Sequence, residues 1–207
     1  MFKKPNAPGV PELIQRINAV VVAALLCAAS PAFAADGNAA APTGPSAEKL
    51  FDPVASVLTH PRCLNCHQDQ RPAQTDASVP HLQQVIRGAH GTGAATMQCA
   101  ACHQGQNSAD GRVPGAAHWH LAPLSMSWQG KTRAQICHQI KDPERNGGRK
   151  TSEQVIEHMR IDPLVLWAWN PGNGRSTPSI SHEQFLQKLD VWAKAGMPCS
   201  GDTSAAK

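Results

Sequence analysis

Two five-residue segments, Cys63-Leu64-Asn65-Cys66-His67 and Cys99-Ala100-Ala101-Cys102-His103, constrain this chain more than any other feature. Each places two thiols three positions apart, with an imidazole directly after the second. The spacing has a mechanical meaning. The thiols reach the two vinyl groups along one edge of a porphyrin, and the following histidine turns beneath the iron. One accidental match is expected in on the order of one chain in a thousand of this length. Two matches in one chain predict two haem c groups, held by thioethers to Cys63, Cys66, Cys99 and Cys102, with His67 and His103 as proximal iron ligands. The same four thiols could instead build a zinc ribbon or two local disulfides, but zinc has no need of a histidine immediately after each pair.

The start of the chain reads as an address. Lys3, Lys4 and Arg16 give a positive leader, Ile17 to Ala29 an uncharged apolar run, and Ala32-Phe33-Ala34 the small residues that a signal peptidase needs. Cleavage is expected after Ala34. The apolar run is about 13 residues long, short of the roughly 20 of a membrane-spanning helix. Lipidation of Cys27 is disfavoured because Leu26, just before it, is bulky. The expectation is a periplasmic protein with no membrane span after cleavage. Residues 1–34 are then the signal peptide, 35–46 a disordered tether rich in Ala, Pro and Gly, 47–199 the folded domain, and 200–207 a flexible tail.

From Ala35 onward the chain has 16 Lys and Arg against 14 Asp and Glu, which is no nucleic-acid footprint. The propionates of two haems would bring the holoprotein near neutral or slightly acidic. Cleavage removes Cys27, and Cys137 and Cys199 then remain outside the paired motifs. In an exported protein they are expected to form a disulfide with each other.

Local signals favour helices. Tyr is absent, β-branched runs are short, and no segment alternates cleanly. Asp52 followed by Pro53 predicts a short helix with Val54, Val57 and Leu58 on one face, delivering Cys63. Thr132 opens a second helix to about Lys141, stopped before Pro143. Thr151 or Ser152 opens a third, with Val155, Ile156 and Met159 as its stripe. Ser181 and Gln184 form the capping box of the last, whose stripe is Phe185, Leu186, Leu189 and Trp192 and whose stop is Gly196. The loops between them are too long and too rich in Gly and Pro for an ordinary small domain. The expected fold is therefore mainly α with long loops, wrapped around two covalently bound haems whose apolar faces replace missing core.

Ten histidines are many for this length. The excess favours histidine on both faces of at least one iron, which lowers the reduction potential relative to His with Met. His81, ahead of the apolar turn Leu82 to Ile86, is the first candidate for a distal ligand. In His118-Trp119-His120, alternate side chains of an extended stretch point oppositely, so His120 is favoured as ligand and His118 as a propionate partner. His158 beside the third apolar stripe, His60 just before the first motif, and Met126 between Leu124 and Trp128 are further candidates. His90, His138 and His182 read as ordinary polar positions. The indoles of Trp119, Trp128, Trp167, Trp169 and Trp192 suit both core packing and porphyrin edges. Lys141 to Lys150 reads as a solvated basic loop, with propionate binding by Arg149 or docking of an acidic redox partner as the alternatives. Gly88 to Gly93 precedes no P-loop lysine and binds no phosphate.

The stretches His60-Pro-Arg-Cys-Leu-Asn-Cys-His67, Met97-Gln-Cys-Ala-Ala-Cys-His103, Pro114-Gly-Ala-Ala-His-Trp-His-Leu-Ala-Pro-Leu-Ser-Met126, Asn146-Gly-Gly-Arg149 and Asp162-Pro-Leu-Val-Leu-Trp-Ala-Trp169 carry a resemblance. The chain resembles small bacterial dihaem cytochromes often labelled as subunits of isoquinoline 1-oxidoreductase-type molybdenum hydroxylases. That resemblance spans nearly the whole chain after Ala34. It implies a periplasmic electron carrier serving a molybdopterin enzyme, and nothing in the chain resembles that enzyme's molybdopterin or iron–sulfur subunits. The expected function is electron transfer from a periplasmic dehydrogenase to a respiratory acceptor, with no catalysis of its own. A dihaem peroxidase with one open iron and a haem-based sensor are the alternatives from other classes.

Overall fold

The Ser46 side chain accepts a hydrogen bond from the Lys49 backbone N–H and caps helix α1, Ala47–Leu58. The structure is a computed structural model that describes residues 46–69 and 71–201. The expected leader, all of the tether but Ser46, and residues 202–207 lie outside the described residues. The expected start at Asp52 is corrected, because Asp52 and Pro53 lie inside α1. Phe51, Val54, Val57 and Leu58 are buried along one side, and this apolar stripe carries the helix through a proline that removes one backbone hydrogen bond. Delivery of Cys63 falls to a separate short helix, α2, Pro61–Leu64, with Pro61 in its first turn and His60 as its cap.

Three of the expected helices form where their caps place them. Helix α3, Arg133–Lys141, opens with a reciprocal capping box between Thr132 and Gln135. Helix α4, Ser152–Ile161, is capped by Thr151. Helix α5, Pro163–Trp167, was not expected. Asp162 caps it by accepting from the Leu164 and Val165 N–H groups, the same Asp-Pro logic that misplaced the start of α1. Helix α6, His182–Lys194, has the predicted Ser181–Gln184 capping box, made in both directions.

The helices share one core. Phe51, Val54, Val57 and Leu58 of α1 meet Ile136 and Ile140 of α3, Val155 and Met159 of α4, and Phe185, Leu189 and Trp192 of α6. The Cys137–Cys199 disulfide, Cα atoms 5.7 Å apart, ties the end of the chain to α3. Beside it the Trp192 indole N–H donates to the Pro198 carbonyl at 2.9 Å.

The stretch from Asn65 to Pro123 is built differently. Its strands among the described residues form two hairpins of two-residue strands, β1 Ala73–Gln74 with β2 Val79–Pro80, and β3 Gly93–Ala94 with β4 Met97–Gln98. Of its larger apolar side chains only Leu121 is buried among the described residues. Guanidinium groups tie the loops instead. Arg87 donates to the carbonyls of Asp69 at 2.6 Å, Ala122 at 2.6 Å, and Gln68. Arg175 donates to those of Pro171, Gly172, Gly111 and Arg112. Among the described residues no helix is long and apolar enough to cross a membrane.

Candidate metal centres

The turn of α2 continues through the first motif: the His67 N–H donates to the Cys63 carbonyl at 3.0 Å. Cys63, Cys66 and His67 thereby face one cavity of about 240 Å³, whose walls include Arg62, Met126, Arg149, His158, Met159 and Phe185. His67 Nδ1 lies 2.9 Å from the Met126 carbonyl oxygen. A carbonyl only accepts, so Nδ1 carries the proton and Nε2 presents its lone pair. The ring lies flat on Trp128, centres 3.5 Å apart and planes within 5°, and the Trp128 N–H donates to the His67 carbonyl at 2.9 Å. Burial pushes the His67 imidazole down to about 4, keeping it neutral as a metal ligand must be. Burial also pushes the Cys63 thiol up to about 12 and the Cys66 thiol up to about 11.

The second motif repeats this support from unrelated sequence. Strand β4 runs into a 3₁₀ turn, Cys99–Ala101, and the His103 N–H donates to the Cys99 carbonyl at 2.9 Å. His103 Nδ1 lies 2.7 Å from the Pro114 carbonyl. Its ring lies parallel to that of Trp119, centres 4.5 Å apart and planes within 2°. Burial lowers the His103 pKa and raises that of Cys99. This site is the more open of the two: Cys102 is exposed, and Leu82, Ile86 and Met97 on the neighbouring segments are exposed apolar side chains.

One dipeptide bonds to the first motif and, through Gly91, reaches the second. The Ala122 N–H donates to the Cys66 carbonyl at 3.1 Å, and the Leu121 N–H to the Gly91 carbonyl at 2.8 Å. That same Gly91 oxygen lies 4.0 Å from Cys99 Sγ. Gly91 has φ +74°, and a Cβ there would stand 2.7 Å from the Leu121 oxygen, so the approach requires glycine.

The candidate distal residues divide between the sites. The His81 ring centre stands 6.1 Å from that of His103, planes 78° apart, and its Nδ1 is buried without a hydrogen-bond partner. His120 follows the second motif in sequence yet lines the cavity of the first. Its Nδ1 is held by the His118 carbonyl. His158 lines the same cavity, and its Nδ1 lies 3.4 Å from Asp162 Oδ2. The hydrogen bond from His158 holds the Asp162 carboxyl down to about 2. Met126 is a buried part of the wall, and its backbone carbonyl is the group that holds His67. His118 is exposed, with φ +60°. His60 has both ring nitrogens engaged: Nδ1 accepts from the Arg62 N–H at 3.2 Å, and Nε2 lies 3.4 Å from Ser176 Oγ. That geometry makes His60 the cap of α2.

Sequence reasoning missed Arg62. Its side chain is buried and paired with Asp76, it lines the cavity, and its Nε has no partner. Its place beside Cys63 on a helical turn is the signal that could have found it. Arg149 departs from the solvated-loop reading of Lys141 to Lys150. It is half-buried and lines the cavity, held by the loop around the buried Asn146. Burial lowers the Arg149 pKa.

Among the described residues the four motif thiols belong to no group of three His, Cys, Asp or Glu side chains converging as a bare metal ion requires. They form no local disulfides either, all four being free thiols. The residues fit haem better. Each motif offers two thiols, an imidazole with Nε2 free, and apolar surface alongside. At the first, the unpartnered Arg62 Nε and the inward Arg149 suit the carboxylates of a porphyrin. No protein-family model matches the chain, and the searches of characterised proteins and of solved structures returned no match.

Proposed function

We propose that this chain is an exported electron carrier with two haem c groups, attached at Cys63 and Cys66 and at Cys99 and Cys102, with His67 and His103 as proximal ligands. One observation carries the reading. Two histidines in unrelated surroundings have the same support, Nδ1 on a backbone carbonyl and the ring flat against an indole. A surface histidine needs no such restraint. A metal-binding histidine does, because the bond at Nδ1 sets the tautomer and aims Nε2.

Haem bound there supplies reversible one-electron transfer. The rest falls to the chain. Trp128 and Trp119 hold the two proximal rings, and Met126, Met159 and Phe185 give the first site apolar walls. Arg62 and Arg149 offer charge to propionates. His81, with its ring centre 6.1 Å from that of His103 and its Nδ1 buried without a partner, would be the residue to hold the second haem iron together with His103. The scarcity of buried apolar side chains from Asn65 to Pro123 also supports the reading, since haem faces would supply the missing core. The open second site suits exchange with partner redox proteins, a periplasmic dehydrogenase such as a molybdenum hydroxylase and a respiratory acceptor. The first site, set against the helical core, suits storage and relay.

The test is maturation in a host with a working periplasmic haem-attachment system, followed by pyridine haemochrome quantification and intact mass. Two haems per chain and low-spin spectra in both redox states are expected. A colourless product with the mass of bare polypeptide sinks the proposal. A high-spin band with peroxide turnover replaces the carrier with an enzyme.

A further inference from the structure

His158 and Asp162 are one turn apart on the same side of the first cavity, and their geometry goes past what the motifs require. Asp162 is fixed twice over. Its Oδ1 accepts from the Leu164 N–H at 2.8 Å and the Val165 N–H at 3.4 Å as the cap of α5, which leaves Oδ2 to face His158 Nδ1 at 3.4 Å. A carboxylate only accepts, so Nδ1 of His158 carries the proton and Nε2 keeps its lone pair. The His158 side chain is 19% exposed and lines the cavity that Cys63, Cys66 and His67 also line. It stands on a helix whose neighbouring residues Val155 and Met159 are locked in the core, so its Cα is placed by rigid packing. The competitor, His120, is held through the carbonyl of His118, an exposed residue with φ +60° in a loop.

We infer that His158 is the distal ligand of the iron at the first motif, and that Asp162 is its positioning residue, aiming Nε2 into the cavity and enriching the ring with negative charge. This rests on the haem reading above. A carboxylate–imidazole–metal arrangement raises ligand basicity, and a more basic axial ligand stabilises the oxidised iron, which lowers the reduction potential of the first haem relative to the same site without the carboxylate.

The experiment uses the matured holoprotein and four variants. His158→Ala should retain two haems by pyridine haemochrome, turn one of them high-spin, and let that one bind carbon monoxide when reduced. His158→Gly should behave alike and return to a low-spin spectrum on addition of imidazole, which a merely misfolded site would not do. His120→Ala should leave both haems low-spin. Asp162→Asn keeps the cap of α5, because the Asn side-chain oxygen also accepts from Leu164 and Val165. It should keep both haems low-spin while the potential of one rises and the other stays fixed. If His158→Ala remains fully low-spin with two haems, or if His120→Ala is the variant that turns high-spin, the ligand assignment is overturned while the haem reading stands. Unchanged potentials in Asp162→Asn reduce Asp162 to a helix cap. A wild-type protein without haem overturns both.

Discussion

His67 and Trp128 lie face to face, ring centres 3.5 Å apart, and His103 and Trp119 form the same pair at 4.5 Å. The two stacks are alike in orientation and unlike in burial. Trp128 is 2% exposed and belongs to the helical core, whereas Trp119 is half-buried among loops. Trp128→Ala should therefore cost about 3–5 kcal/mol of stability, and Trp119→Ala roughly 1–2 kcal/mol, as less buried area is lost. Urea unfolding of both holoproteins checks this. Each variant should also shift the electron paramagnetic resonance signal of one haem, because the proximal ring loses its rest. Equal destabilisation by the two would contradict the burial argument.

The motifs differ in how they join the core. Cys63 and Leu64 pack against it, while Cys99 and Cys102 lie on the core-poor stretch. Cys99→Ala with Cys102→Ala should leave one haem and a cooperatively unfolding helical core. Cys63→Ala with Cys66→Ala should also leave one haem, but with a lower melting temperature and weaker cooperativity. Circular dichroism melts beside haem counts decide it, and two remaining haems in either double variant would refute that attachment site.

Replacing His81 by Ala should convert one haem to high-spin and open it to carbon monoxide. The haem concerned is the one that survives in the Cys63, Cys66 double variant, so the combined triple variant should hold a single, high-spin haem. An unchanged low-spin spectrum would remove His81 from the ligand set.

Thiol reactivity in haem-free protein reports the difference in burial directly. A thiol pushed up to about 12, as at Cys63, holds on the order of a thousandfold less thiolate at pH 8 than an ordinary cysteine, and the thiolate is the reacting form. Because the shift is upward, its alkylation should accelerate as pH rises toward 12, and Cys66 should follow the same trend. The exposed Cys102 should be labelled first. Peptide mapping after timed iodoacetamide treatment gives the order.

The Cys137–Cys199 disulfide spans 62 positions of sequence. Closing a loop of that length removes chain entropy from the unfolded state worth about 4 kcal/mol. Cys137→Ser with Cys199→Ser should lower stability by about that amount without loss of haem, read from urea midpoints. Non-reducing alkylation of the wild type should label neither sulfur.

Much of this arrangement was legible from residues close together in the chain. The capping box of Ser181 with Gln184 and the helix starts at Thr132 and Thr151 are each decided within a turn of backbone, where one or two hydrogen bonds settle the outcome. The pairing of Cys137 with Cys199 followed by elimination. Where local rules competed with packing they failed: Asp52-Pro53 looked like a helix start, but the buried stripe from Phe51 to Leu58 drew Pro53 into the middle of α1.

The sequence by itself determined where α3, α4 and α6 start, because a cap acts within one turn of backbone, and it supplied the two Cys-x-x-Cys-His segments on which the haem proposal rests. Only the tertiary structure decided that His120 and His158 face the first motif, that His81 faces the second, that indoles support both proximal rings, and that Arg62 and Arg149 turn inward. Those relationships join residues tens of positions apart, and they come into being only when α1, α3, α4 and α6 bury a common core and thereby fix directions in space that no local pattern encodes.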